Sequence, residues 1–388
     1  MTTQKTQERS DTILFMRRVS VFCLPLLLLL AFPMYVFILS GEGMSTSSVI
    51  AAQKESVSPV LFGAAYGNST AYYKLHYLFN AHPAVVALGT SRVMQFRSGF
   101  FTTSARFLNA GGSINRIEKF REFLDKIPHD SSPAILLIGL DQNLFNPDLR
   151  RKAPLGIDEL AEFDSPLGVF FNSWPAIYRD FFQRKFTLAE LTRDTPGRRV
   201  IGLNALRNGN GFRNDGSYRY GYFLSHPDEQ AAVYSKIRHF DRRDTDEPRL
   251  RPSVDTLDEA AIRELVLFLN AAALRGIHVA GFLPPYPPAV YAELSEDRTS
   301  YPYIFALPGR LRALFTPYHF SFFDFSDSAA FGSRDAEMLD ILHGSEKTYA
   351  RLFLKMAATD AKLAPYAAVA DIERHLRTAT STFTLFPD

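Results

Sequence analysis

The chain holds one cysteine and one tryptophan in 388 residues. A single thiol excludes an intrachain disulfide and any structural zinc site built on several thiolates. A dominant charge is missing as well, since 43 Lys+Arg against 41 Asp+Glu leave a formal net charge of only +2. Without a field of one sign the protein is not built to coat nucleic acid, and no nucleic-acid partner is expected. The 9 histidines contain no i,i+4 pair and no H-E-x-x-H, so neither a metal site nor a cofactor is expected. With 46% hydrophobic and 22% charged residues, the composition also excludes a disordered chain and a multi-span membrane protein. What is abundant is aromatic surface: 34 Phe and 17 Tyr must find places to be buried.

One long hydrophobic run is present. Residues 19–39, VSVFCLPLLLLLAFPMYVFIL, carry no formal charge and match in helical length a hydrocarbon core of roughly 30 Å. Pro25 and Pro33 are tolerable kinks inside a membrane helix. The run exceeds the h-region of a cleaved signal, and no clear A-x-A site follows Ser40, so it reads as a retained anchor. Lys5, Arg9, Arg17 and Arg18 precede it, whereas Lys54 is the only basic residue between Gly41 and Tyr73. The positive-inside rule therefore puts the N-terminus in the cytoplasm and the rest of the chain outside. The organisation expected is a cytoplasmic stretch 1–18, an anchor 19–39, a Ser/Gly/Ala-rich linker 40–75 and an α/β domain 76–388. That domain carries an insertion at about 150–250, where periodicity is unclear.

Within the domain the periods alternate. Residues 84–89 (AVVALG) and 134–140 (AILLIGL) are continuous apolar runs of strand length. Between them Ile117, Phe120, Phe123, Leu124 and Ile127 repeat at helical spacing. Strand, helix, strand with fully apolar strands indicates a parallel sheet covered on both faces. Later, Thr256 and Glu259 suggest a capping box for a helix reaching Arg275 and closed by Gly276. Strands are expected at 277–283 and 319–325, and a last helix capped by Ser345. A turn is expected at Asn214-Asp215-Gly216.

Chemistry gathers at three places. The first strand ends in Gly89-Thr90-Ser91-Arg92, which puts a serine at the carboxyl rim where open α/β sheets bind ligands. Asn109-Ala110-Gly111-Gly112 offers backbone N–H groups to an oxyanion, or is simply a strand-to-helix turn. Asp340-Ile-Leu-His343 lies directly before the last helix. An imidazole can take the proton of a serine hydroxyl, and a carboxylate on its far nitrogen fixes the tautomer.

The order of these segments resembles the SGNH (GDSL-like) hydrolase superfamily. The chain looks most like its membrane-anchored, exported branch, which includes the teichoic-acid D-alanylation and alginate O-acetylation proteins that work beside membrane-bound O-acyltransferases. The resemblance covers roughly residues 84–363 without the insertion. It implies a three-layer flavodoxin-like parallel sheet behind one transmembrane helix, on the periplasmic side of a bacterial inner membrane. It also implies Ser91 as nucleophile, His343 as base and Asp340 as orienting acid. Oxyanion donors would be the Ser91 N–H with Gly111 or Gly112. The third block departs from the family's Gly-x-Asn: this chain reads Gly139-Leu140-Asp141-Gln142-Asn143. Asn143 is shifted by two positions, and Asp141 either brings negative charge near the oxyanion or is buried and hydrogen-bonded. The activity implied is an O-acyltransferase or esterase acting on a cell-envelope polysaccharide. The alternative is a non-catalytic scaffold or polysaccharide-binding partner of a membrane-bound O-acyltransferase.

Two further sets are candidates for substrate contact. Arg92, beside the serine, could hold an anionic or hydroxyl group, or pair with a carboxylate. Arg213, Tyr218 and Tyr220, with Arg207, Arg219 and Tyr222, interleave basic and aromatic side chains around the Asn-Asp-Gly turn. They would form a sugar-binding face, or a hairpin packing its aromatics on the core.

Overall fold

The computed structural model describes residues 2–56, 59–67, 70–149, 165–192, 199–253 and 257–387, with residues 2–11 as backbone alone. In chain order the strands are β1 (Val60–Phe62), β2 (Val85–Gly89), β3 (Leu108–Gly111), β4 (Ile135–Gly139), β5 (Arg199–Ile201), β6 (Asn210–Phe212), β7 (Tyr218–Tyr220), β8 (His278–Leu283) and β9 (Ser321–Asp324). The larger sheet has the order β3-β2-β4-β8-β9 and every pairing in it is parallel. Its apolar runs are buried on both sides because side chains alternate across a strand. Val86, Leu88, Leu136 and Ile138 face a core shared with the helices Glu118–Lys126 and Glu259–Leu274. Val85, Ala87, Ile135 and Leu137 face the helix Glu346–Thr359 through Leu352, Phe353 and Met356. Phe120 and Phe268, both fully buried, meet at a ring distance of 5.5 Å. Each such side chain contributes roughly 2–3 kcal/mol of burial.

Local signals set the element ends. The helix before β8 is capped by Asp258, whose Oδ1 accepts the N–H groups of Ala260 and Ala261 at 2.9 and 3.2 Å. The cap is therefore Asp258; Thr256, expected in that role, lies outside the described residues. Gly276 follows the helix with φ +67°, a conformation that favours glycine. Ser345 caps the helix Glu346–Thr359, its side chain accepting from the Thr348 N–H.

Residues 41–70 are not a free linker. They hold a helix, Thr46–Glu55, capped by Ser45 and burying Val49 and Ile50, followed by β1. The serines and alanines form a small-residue helix packed on the domain rather than a tether. β1 pairs parallel with β5 and antiparallel with β6, and β6 with β7, giving a second sheet of order β5-β1-β6-β7. The described part of the central insertion thus completes a sheet begun before the first long strand. The turn joining β6 and β7 contains Gly216 at φ +78°.

At the front, α1 (Thr2–Ser40) runs unbroken through Pro25 and Pro33, and residues 12–40 are long and apolar enough to cross a membrane. Its C-terminal part is not bare. The helix Pro166–Phe182 packs along it, with Phe170 against Phe37 at 5.6 Å and Phe181 against Phe32 at 4.8 Å. Pro33 has no N–H to give to the carbonyl of Leu29, four residues back. The Tyr178 hydroxyl donates to that carbonyl instead, at 2.7 Å. Membrane helices carry internal prolines by this kind of rescue from a neighbouring helix.

Candidate active site

Ser91 opens a short turn, Ser91–Val93, at the carboxyl end of β2. β2 lies between β3 and β4, so the chain leaves it toward opposite edges at the point where doubly wound sheets bind ligands. Glycine at the strand ends makes room for this turn. A Cβ on Gly139 would lie 2.2 Å from Val93 Cγ1, and one on Gly111 2.7 Å from Val93 Cγ2. Both distances are shorter than packed carbon atoms allow. Asn109, fully buried, ties the same turn down, its Nδ2 donating to the carbonyls of Val93 and Phe96 at 2.9 Å each. Thr90 Oγ1 accepts the Arg92 N–H at 3.1 Å and donates to Asp141 Oδ2 at 2.8 Å.

The structure brings the distant D-x-x-H segment onto this turn. Ser91 Oγ lies 2.8 Å from His343 Nε2, and His343 Nδ1 lies 2.7 Å from Asp340 Oδ2. Asp340 Oδ1 accepts the N–H groups of Leu342 and His343, at 2.7 Å each. Spacing of three residues lets one carboxylate both close the loop and orient the ring. Burial works to raise the Asp340 carboxyl, but His343 and these hydrogen bonds outweigh it and hold the group well below the usual range. It is therefore ionised at neutral pH and selects the tautomer with hydrogen on Nδ1. That leaves Nε2 as the acceptor facing the serine hydroxyl.

Arg92 turns into the protein. It is 1% exposed, and its guanidinium bridges three segments. Nε donates to Leu342 O at 3.0 Å, Nη1 to Gln142 Oε1 at 2.9 Å, and Nη2 to Pro284 O and Pro285 O at 3.0 and 2.7 Å. It also lies over the Tyr286 ring, 4.6 Å from its centre. The expectation of a ligand-binding or carboxylate-paired arginine is corrected. Its partners are carbonyl oxygens, a set that the planar five-donor fork suits. The bond to Leu342 O fixes the histidine loop against the serine turn.

The oxyanion candidates are placed differently from expectation. The Gly111 N–H donates to Asn109 Oδ1 at 2.8 Å, and the Gly112 N–H to Gly89 O and Thr90 O at 3.0 Å each. Both are used in shaping the turn. Asn143 lines a separate pocket with Asn115 and Asn146. The Ser91 N–H is the candidate donor that no acceptor among the described residues takes up. Asp141 is buried and held by Thr90, and burial pushes its carboxyl up against the pull of Arg92 and the Thr90 hydroxyl. Its Oδ1 has no hydrogen-bond partner among the described residues.

A cavity of about 420 Å³ opens on Ser91 between the two sheets. Phe62, Met94, Phe212, Tyr218 and Tyr220 wall it, with Asn204 and Thr70 as polar groups. Tyr218 and Tyr220 therefore line the cavity beside Ser91, Tyr218 packing against the main core as well, and the Tyr220 ring lies 6.3 Å from the His343 ring. Arg213 does not join them. It pairs with Glu346 at 3.2 Å and lines another cavity of about 240 Å³, with Arg97 and Asp215. Sequence reading missed Arg249. Its side chain grips Glu247 at 2.7 and 3.1 Å, and its charge adds to those that pull the Asp141 carboxyl down against burial. Nothing local marks it, because it lies in a stretch without periodicity.

Among the described residues no cluster of His, Cys, Asp or Glu could hold a metal ion. No family model matches the chain, and neither a curated protein nor a solved structure gives a match.

Proposed function

We propose that the protein is a membrane-tethered serine acyltransferase or esterase of SGNH type, acting on acyl groups of a cell-envelope polysaccharide at the outer face of a bacterial inner membrane. The observation that carries this reading is the continuous Ser91–His343–Asp340 chain, with links of 2.8 and 2.7 Å. The sheet order β3-β2-β4-β8-β9 supports it, being the 2-1-3-4-5 order of flavodoxin-like folds with the serine at the switch point.

In this mechanism Ser91 Oγ attacks the carbonyl carbon of an acyl ester or thioester while His343 Nε2 takes its proton. The Ser91 N–H donates to the oxyanion that develops, and Asp340 stabilises the imidazolium. Collapse breaks the bond to the leaving group, which receives the proton from His343, and leaves an acyl-serine. A sugar hydroxyl or water, deprotonated by the same imidazole, then attacks this ester and releases Ser91. The cavity walled by Tyr218 and Tyr220 would hold the substrate. The tether favours transfer over hydrolysis, because it keeps the serine beside a membrane-borne donor at high effective concentration. A membrane-bound O-acyltransferase is the partner that such a donor implies.

A second reading, a scaffold or polysaccharide-binding partner without catalysis, is favoured by the engaged N–H groups of Gly111 and Gly112 and by Asp141. Polysaccharide acylation in cells carrying Ser91→Ala separates the two. Loss of acylation with normal protein level supports the acyl-serine, whereas wild-type acylation supports the scaffold.

A further inference from the structure

The reading that α1 spans a membrane leaves open where the bilayer ends along it, and the packing of α1 bears on this. Every residue from 12 to 29 except Cys23 is exposed, a helical length of about 27 Å, close to a hydrocarbon core. From Leu30 onward one face of α1 is covered, with Val36 and Phe37 only 0% and 3% exposed, while Ala31, Tyr35, Ile38 and Leu39 stay at the surface. The covering helix, Pro166–Phe182, runs antiparallel, so that its far end, not its start, meets Leu29 through Tyr178. That end is both aromatic and basic. Phe182 is 75% exposed, and Arg179, Arg184 and Lys185 surround it at the surface. Asp180, bonded to Arg179 and Lys185, is the one acid among them.

If the bilayer covered the whole uncharged run 19–39, this tip would lie beside Leu29 at its midplane. Two or more cations would then sit where they are least tolerated. If the hydrocarbon ends near Leu29, the same tip lies among the headgroups, where aromatic rings and cations are enriched. Arg17 and Arg18 then enter the inner leaflet by about 8 Å from residue 12, within reach of snorkelling to the interface. The exposed Leu167 and Phe171, farther up the helix, would alone draw it deeper. The cations at its tip oppose this.

We propose that the tip formed by Tyr178, Arg179, Phe182, Arg184 and Lys185 is a contact site for anionic phospholipid headgroups of the outer leaflet. Leu30–Ser40 of α1 is then a stalk packed along one face against the helix Pro166–Phe182, and it holds the Ser91 cavity at a fixed height above the bilayer. The proposal rests on the membrane-span reading and is independent of whether Ser91 is a nucleophile.

The single tryptophan, Trp174, lies on the covering helix between the Phe170 and Tyr178 contacts, about 6 Å outside the Leu29 level. The full chain, reconstituted in phosphatidylcholine–phosphatidylglycerol vesicles, can be read with lipids brominated high or low on the acyl chain. Trp174 emission should be spared by the low bromines. A reporter variant, Trp174→Phe with Phe182→Trp, should be quenched by the high ones, and more strongly with phosphatidylglycerol than without. That added quenching should vanish in Arg184→Gln/Lys185→Gln. Strong quenching of Trp174 by low bromines would overturn the proposal, since the helix would be immersed. An unquenched Phe182→Trp reporter would overturn it too, as the tip would be clear of lipid. Quenching without any dependence on phosphatidylglycerol would remove the headgroup assignment. Release of the wild-type chain from vesicles by carbonate would instead sink the span reading, and this proposal with it.

Discussion

Replacing Arg92 by Met keeps most of the apolar stem and removes every guanidinium donor. Four acceptors lose a bond: Leu342 O, Gln142 Oε1, Pro284 O and Pro285 O. Pro284 O still receives Gln142 Nε2 at 2.9 Å, so three buried acceptors are left bare. At roughly 1 kcal/mol or more for each orphaned acceptor, plus the lost contact over Tyr286, the cost is about 3–5 kcal/mol. A domain of this size should lose on the order of 5–10 °C in Tm. Arg92→Lys should recover less than half, because one ammonium cannot reach three segments at once. The histidine loop should suffer beyond the global loss, since Leu342 O is its link to the serine turn. Thermal unfolding by circular dichroism reads the first effect, and the labelling rate of Ser91 by a fluorophosphonate, well below Tm, reads the second. An Arg92→Met protein with unchanged Tm and labelling rate would refute the clamp.

His343→Ala and Asp340→Asn should each slow fluorophosphonate labelling of Ser91 by roughly 10³–10⁴-fold while leaving far-ultraviolet circular dichroism unchanged; equal rates would disconnect the relay from reactivity. Gly139→Ala should destabilise by about 1–3 kcal/mol through its clash with Val93, and Val93→Ala in the same chain should restore part of that loss. Strict additivity in urea unfolding would contradict the packing argument. Asp215 is held at about 2, against an ordinary 3.8, because Arg97, Ser217 and the Ser98 N–H outweigh the opposing effect of burial. A depressed acid stabilises the fold above its unfolded value and loses that contribution as pH falls through its folded value. Asp215 therefore contributes about 2 kcal/mol at neutral pH, lost between roughly pH 4 and pH 2. The urea midpoints of wild type and Asp215→Asn should accordingly converge as pH falls from 6 toward 2.5, and a constant gap would contradict the assignment.

The large sheet was legible because its strands are buried on both faces. Residues 84–89 and 134–140 are then uninterrupted apolar runs, and β2 and β4 lie within them. The second sheet was not. Its strands are three residues long, and β1 pairs with β5 across more than a hundred residues, so no local pattern reports it. Residues 41–70 misled for a related reason: a helix of Ser, Ala and Thr has the composition of a flexible tether, and only its contacts make it rigid. In the site, Ser91, His343 and Asp340 could be read from residue type and order. Arg92 could not, because adjacency to Ser91 says nothing about direction, and its side chain turns inward to carbonyls. Gly111 and Gly112 had the right composition for oxyanion donors, but their N–H groups are consumed by the turn they form. Arg249, bonded to Glu247, lies in a stretch whose sequence predicts nothing.

The central claim is that Ser91 is a nucleophile activated by His343. It is tested most directly by treating the purified full-length chain with a fluorophosphonate and locating the adduct by peptide mass. The account predicts a single adduct on Ser91, absent in Ser91→Ala and strongly slowed in His343→Ala. A chain that stays unlabelled, or that labels equally in Ser91→Ala, would contradict it.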